Sequence, residues 1–183
     1  MTVFDIRIET PRLILRPTQA EDVEGFRTFG GDAEAMRFVG GLQPPAMAWR
    51  SACGMAGAWA LFGFAMFSVI EKASGRWIGR LGPWRPEGWP GTEIGWGLLP
   101  EFQGRGYATE GAVASMDFAV DQLGWTDIIH TIDPENTASI AVAKRLGSVN
   151  RGPGQLPAPF TEARVDIWGQ TAEDWARNRR TLG

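Results

Sequence analysis

Residues 94–123 constrain this chain more than any other stretch: a short apolar run, a turn with two glycines, then a long amphipathic segment. The run at 94–99 stops at Pro100, as a buried strand would. Gly104 and Gly106 allow backbone conformations closed to other residues and let a ligand come close, because no Cβ intervenes. From Thr109 onward, Ala112, Val113, Met116, Ala119, Val120 and Leu123 fall at i, i+3/i+4 spacing, one buried stripe on a helix. A helix entered through such a turn aims unpaired N–H groups and its positive dipole end at the space above the strand. That is an anion site, and phosphate is its natural ligand. The residues at 103–109 match neither the P-loop nor the dinucleotide fingerprint, whose third small residue falls on Thr109 here.

The remaining segments read as alternating strands and helices. A β-type run at 12–16 precedes Thr18-Gln-Ala-Glu21, a capping box, and a helix carrying Val23, Phe26 and Phe29. Asp32 caps a second, short helix that Gly40-Gly41 closes. Residues 45–61 form a third, with Trp49, Cys53, Ala56 and Ala60 along one side. A hairpin is expected from 64–71 and 76–81, joined at 72–75, and the proline- and glycine-rich 82–91 reads as an exposed loop. Trp84 and Trp89 in that loop either fold back on the core or form an acceptor-side wall or a dimer contact. A strand at 127–132, a turn at 133–136, a helix at 137–146 stopped by Gly147, a loop at 151–159, a last strand at 164–169 and a helix at 171–180 complete the chain. The pattern indicates one α/β or α+β domain with a mixed sheet.

Composition narrows the class. At 183 residues, 44% hydrophobic and 21% charged, the chain can bury roughly 70% of its unfolded surface. A net charge of −3 gives no electrostatic case for nucleic acid. Cys53, the only cysteine, is expected to be a small buried apolar residue. No membrane-length apolar stretch or signal pattern is visible, so a cytoplasmic enzyme without a membrane partner is expected.

Gln103-x-x-Gly106-x-Ala108 resembles the diphosphate loop of the GCN5-related N-acetyltransferases. Three further stretches match in order: Thr-Pro-Arg-Leu-Ile-Leu-Arg-Pro with the capped helices after it, Asp-Pro-Glu-Asn-x-x-Ser followed by Arg-Leu-Gly, and Arg-Val-Asp-Ile-Trp-Gly before the last helix. The opening stretch is similar to the RimJ/RimL branch, the ribosomal-protein N-acetyltransferase-like subfamily. The likeness covers a core of about 8–176, and 1–183 is read as one N-acetyltransferase domain. It implies a twisted, mostly antiparallel mixed sheet with splayed central strands, flanked by helices. It also implies acetyl-CoA as co-substrate, no metal, and direct transfer to a primary amine of a small molecule or a protein N-terminus. Self-association into a homodimer stays open.

The resemblance also assigns residues. The N–H groups of Gly104, Arg105, Gly106, Tyr107, Ala108 and Thr109, beside Gln103, would ring the diphosphate. The backbone of Trp96, Gly97 and Leu98 would pair with the pantetheine arm, as would Asn136, unless that residue serves only as a helix cap. An N–H near Leu98 would face the oxyanion. Glu93 is the expected base and Ser139 the expected proton donor to the thiolate. The tyrosine that many members place after the final Leu-Gly is absent, and Ser148 stands where they have phenylalanine. Thr131 occupies the position of another branch's glutamate, and His130 should face away from it. These departures motivate a second reading, a non-catalytic acyl-CoA sensor.

Overall fold

Two neighbouring strands at the middle of the sheet meet at one pair of residues and then part. Strand β5 (Glu93–Leu98) runs parallel to β6 (Asp127–Ile132), with the single register pair Glu93 and Ile129. The Ile129 N–H donates to Thr92 O at 2.9 Å at this closed end. Beyond it the two strands diverge into an open V.

A computed structural model, which describes residues 2–182, sets this V in one eight-stranded sheet of order β1-β2-β3-β4-β5-β6-β8-β7. The first half is β1 (Ile8–Glu9), β2 (Leu13–Arg16), β3 (Phe67–Glu71) and β4 (Trp77–Trp84), all antiparallel and continued by β5. The second half is β6, β7 (Val149–Gly154) and β8 (Val165–Thr171), with β8 between the other two. Six helices accompany the strands: α1 (Val23–Gly31), α2 (Ala33–Met36), α3 (Pro45–Phe62), α4 (Tyr107–Asp121), α5 (Thr137–Arg145) and α6 (Ala172–Arg179).

Side chains alternate across β5. On one face Ile94 packs with Ala112 and Met116 of α4, while a Cβ at Gly97 would meet Phe29 of α1 on the other. The two helices therefore sandwich the strand. Glycine holds the centre of this layer. A Cβ on Gly111 would lie 2.5 Å from Leu81, so its absence lets α4 approach β4.

Several expected elements shift. Residues 82–84 are strand, not loop: Pro83 pairs with Ile94 beyond the last β3 contact at Leu81, so its missing N–H interrupts no ladder. Residues 149–154 are strand β7, since β8 supplies a partner that the glycines and proline hid. The hairpin's first strand begins at Phe67, three residues late, and β1 escapes sequence reading at two residues. The reach-back carboxylate at the first helix is Asp22, which accepts from the Gln19 N–H at 2.8 Å; Glu21 pairs with Arg16 instead. On α3 the buried side is Ala48, Ala52, Met55 and Trp59, and Cys53 is exposed, contrary to expectation. That helix is apolar nearly all round, so spacing alone does not choose its face.

Gly79 shows how tightly β5 is held: a Cβ there would sit 2.3 Å from Gly97 O and 2.8 Å from Leu98 Cα. Gly79→Ala is expected to destabilise the fold by roughly 1–3 kcal/mol, the usual range for overpacking. Urea unfolding checks this, and an unchanged midpoint would contradict it.

Candidate active site

The closed end of the V carries a carboxylate, and its open end faces a ring of main-chain N–H groups. The ring comes first in the chain. Gly104 and Gly106 both take left-handed φ, of 71° and 82°, and Gly106 caps α4. Helix α4 consequently begins at Tyr107, two residues earlier than its apolar stripe announces. Among the described residues nothing accepts the N–H of Gly104, Arg105 or Gly106. Those of Tyr107, Ala108 and Thr109 lie in the first helical turn, where no intrahelical partner exists. Six consecutive donors and a helix N-terminus converge there.

The loop is braced from behind. Arg12 donates to Arg105 O at 2.9 Å and pairs with Glu110 at 2.6 Å, and Glu110 also accepts from the Thr10 hydroxyl. The Tyr107 side chain turns inward, its hydroxyl donating to Glu71 at 2.5 Å, with the Arg12 guanidinium 4.4 Å from its ring centre. Arg105 lays its guanidinium over Phe102. Gln103 is a brace as well. Its N–H donates to Pro100 O and its side-chain amide to Leu98 O, so neither joins the ring of free donors.

A groove of about 1370 Å³ runs from this loop past Trp96, Gly97 and Leu98 to Asn136 and Ser139. On β5, Ile94 O accepts from His130 and Leu98 O from Gln103, so even-numbered residues direct their polar groups into the gap. The N–H groups of Trp96 and Leu98 share that direction. Asn136 caps α5, its side-chain oxygen accepting from the Ser139 N–H at 3.0 Å, which leaves its amide NH₂ available. The Ser139 hydroxyl accepts from the Trp96 indole at 3.2 Å and so keeps its own proton free to donate.

A second pocket, of about 520 Å³, meets the groove at Trp96, Asn136 and Ser139 and contains Glu93. Glu93 is only 5% exposed. Thr131 gives it both its N–H and its hydroxyl, at 3.1 and 3.0 Å, and the Trp89 indole donates to its other side. Burial pushes the carboxyl up to about 7, partly offset by Trp89, Thr131 and the charge of Arg80. Thr131 cannot act as a base; it orients the Glu93 carboxylate. Trp89, noticed in sequence as an odd loop residue, is the second orienting group, and Trp84 packs edge-on against it.

His130 turns away from Thr131, as alternation requires. Its Nδ1 donates to Ile94 O at 2.7 Å and its Nε2 accepts from the Ser148 hydroxyl at 3.0 Å. Gln170 donates to that same hydroxyl and to Leu146 O. Burial pushes the imidazole down to about 4, so it stays neutral at physiological pH. This network explains why serine replaces the expected phenylalanine at 148: the buried histidine needs a donor there. Arg80, beside Glu93, was invisible to sequence reading, because a lone arginine in a strand carries no spacing signal.

A cleft with free main-chain N–H donors at one end and a buried carboxylate at the other suits group transfer from a phosphate-bearing carrier. Comparison with known proteins identifies the group as acetyl. Residues 12–149, well over half the chain, match the acetyltransferase (GNAT) domain model. The chain belongs to the GNAT acetyltransferase family and is an enzyme. It is 27% identical over 150 residues to the uncharacterized N-acetyltransferase YnaD of Bacillus subtilis (strain 168), covering 80% of this chain and 85% of that protein. An acetyltransferase structure from Agrobacterium tumefaciens str. C58 superposes with a TM-score of 0.77 at 28% identity, over 90% of this chain and 94% of that one. A ribosomal-protein-S5-alanine acetyltransferase from Vibrio fischeri shares the fold at 17% identity and a TM-score of 0.70, over 93% and 99% of the two chains. Among the described residues no helix is long and apolar enough to cross a membrane.

The raised Glu93 pKa has a consequence for stability. Its protonated form is favoured by folding, so the gain is fully present below the ordinary value of 4.5 and is lost as pH rises through about 7. Relative to Glu93→Gln, the wild type should lose on the order of 3 kcal/mol between pH 4.5 and pH 8. Denaturant unfolding of both proteins across that range measures it; a pH-independent difference would contradict a buried, titrating Glu93.

Proposed function

We propose that this chain is an acetyl-CoA-dependent N-acetyltransferase of the RimJ/RimL-like branch that moves the acetyl group directly to a primary amine. The acceptor is a small molecule or a protein N-terminus, and the whole chain acts as one catalytic domain in the cytoplasm. The observation that carries this reading is the meeting of groove and pocket at Trp96 and Ser139, with free N–H donors on one side and Glu93 on the other.

The six donors at 104–109 suit the coenzyme's diphosphate, and the open edge of β5 with the Asn136 amide suits its amide-bearing arm. Bound there, acetyl-CoA supplies an activated acetyl thioester. The chain's own residues supply the rest. Glu93, held by Thr131 and Trp89, takes a proton from the acceptor's ammonium, and the neutral nitrogen forms the new C–N bond and then releases its second proton to water. The Leu98 N–H faces the developing oxyanion. As the C–S bond breaks, Ser139 gives its free proton to the sulfur and is replenished from solvent.

A base must be deprotonated to act, so wild-type kcat/KM should rise tenfold per pH unit up to about 7 and then level off. Glu93→Gln should lower turnover about 100-fold at pH 7 and flatten that profile, with coenzyme affinity retained. Steady-state kinetics on a panel of amines, paired with coenzyme titration, test this. Unchanged turnover would remove Glu93 from the mechanism, and coenzyme binding with no turnover on any amine would favour the sensor reading.

A further inference from the structure

Resting on the transferase reading above, we infer that the acceptor carries a carboxylate beside its amine, as a small α-amino acid with an aromatic or apolar side chain does, and that Arg80 receives this carboxylate. Arg80 projects from β4 into the same pocket as Glu93. The register places it opposite Gly97, two pairs from Gly95 opposite Gly82, and four residues from Trp84 opposite Glu93. Arg80 and Glu93 therefore stand on one face of the sheet, with Gly95 and Gly97 between them, whose missing side chains make room for Met66 and Phe29.

Among the described residues the guanidinium makes no ion pair. Its one hydrogen bond goes from Nη1 to the Met66 thioether at 3.0 Å, its guanidinium carbon lies 5.7 Å from the centre of the Phe29 ring, and Glu93 acts on it only through the field, without an ion pair. Among the described residues no carboxylate lies within ion-pair distance of it. A thioether is a weak acceptor, and a guanidinium has five N–H donors in a fork that matches a carboxylate. Holding such a charge half-buried and unpaired is costly, and an anionic ligand removes the cost.

Together the two charges complement a zwitterion: Glu93 meets the ammonium and Arg80 the carboxylate. Trp84, Trp89, Leu156 and Phe160 form apolar walls around them, and about 520 Å³ suits an amino acid rather than a long chain. A polyamine would bring positive charge against Arg80. A protein N-terminus has an amide where the carboxylate would be.

The test measures acetyl transfer to L-phenylalanine, L-phenylalaninamide, spermidine and a short peptide, with wild type, Arg80→Gln and Arg80→Lys. In wild type, kcat/KM for the acid should exceed that for the amide at least tenfold, although the amide has the less basic, more available amine. In Arg80→Gln the ratio should fall to near one, and in Arg80→Lys it should be intermediate. A wild-type ratio near one, turnover of spermidine or the peptide alone, or an Arg80→Gln ratio equal to wild type would overturn the inference while leaving the transferase reading intact. Coenzyme binding without turnover of any of the four, or of a broader amine library, would overturn both. Because the readout is a ratio within one protein, a partly unfolded variant does not mimic the expected result.

Discussion

The parting of β5 from β6 after a single shared pair is the constraint on which the site depends. A strand in the middle of a sheet ordinarily spends its N–H and C=O groups on both neighbours. Here β5 satisfies β4 along its whole length, but β6 only at Glu93. The unspent groups from Ile94 to Leu98 would be a liability on a buried edge, and two of them, Ile94 O and Leu98 O, are already covered by His130 and Gln103. What is left uncovered is a strand edge that a ligand rich in amides can complete. The same parting lets α5 come in beside Trp96, and it places Ser139 and Asn136 at the junction of groove and pocket.

The other half of the site is a balance between burial and hydrogen bonding. A carboxylate as enclosed as Glu93 would be expected to stay protonated well above neutrality without help. Thr131, Trp89 and the field of Arg80 offset part of that cost, leaving a pKa of about 7, where a general base works best. His130 shows the opposite solution. Buried without a carboxylate, it is held neutral between a carbonyl and a serine hydroxyl and serves to pin β5 to β6 across the start of the gap. Two titratable groups on adjacent strands thus play different parts because their neighbours differ.

Much of this was legible in the chain. The glycine turn and the helix after it follow from residue type and spacing, because only glycine fits the left-handed φ of Gly104 and Gly106. Strand β6 and the caps at Asp32 and Asn136 are equally local and were read correctly. What failed was non-local. Strand β7 looks like a loop until β8 is beside it, and Gly82–Trp84 looks like a loop until Ile94 pairs with Pro83. The face of α3 is ambiguous because its residues are apolar on every side. Thr131 and Trp89 meet Glu93 across 38 and 4 residues of chain, and no local pattern links them. Arg80 is visible only once the register sets two glycines between it and the carboxylate.

The most direct measurement is a crystal structure of the chain with coenzyme A. The account predicts diphosphate oxygens about 3 Å from the N–H groups of residues 104–109 and the pantetheine arm along the open edge of β5, its sulfur near Ser139. A coenzyme seated elsewhere, or bound with those six N–H groups still unpaired, would contradict it.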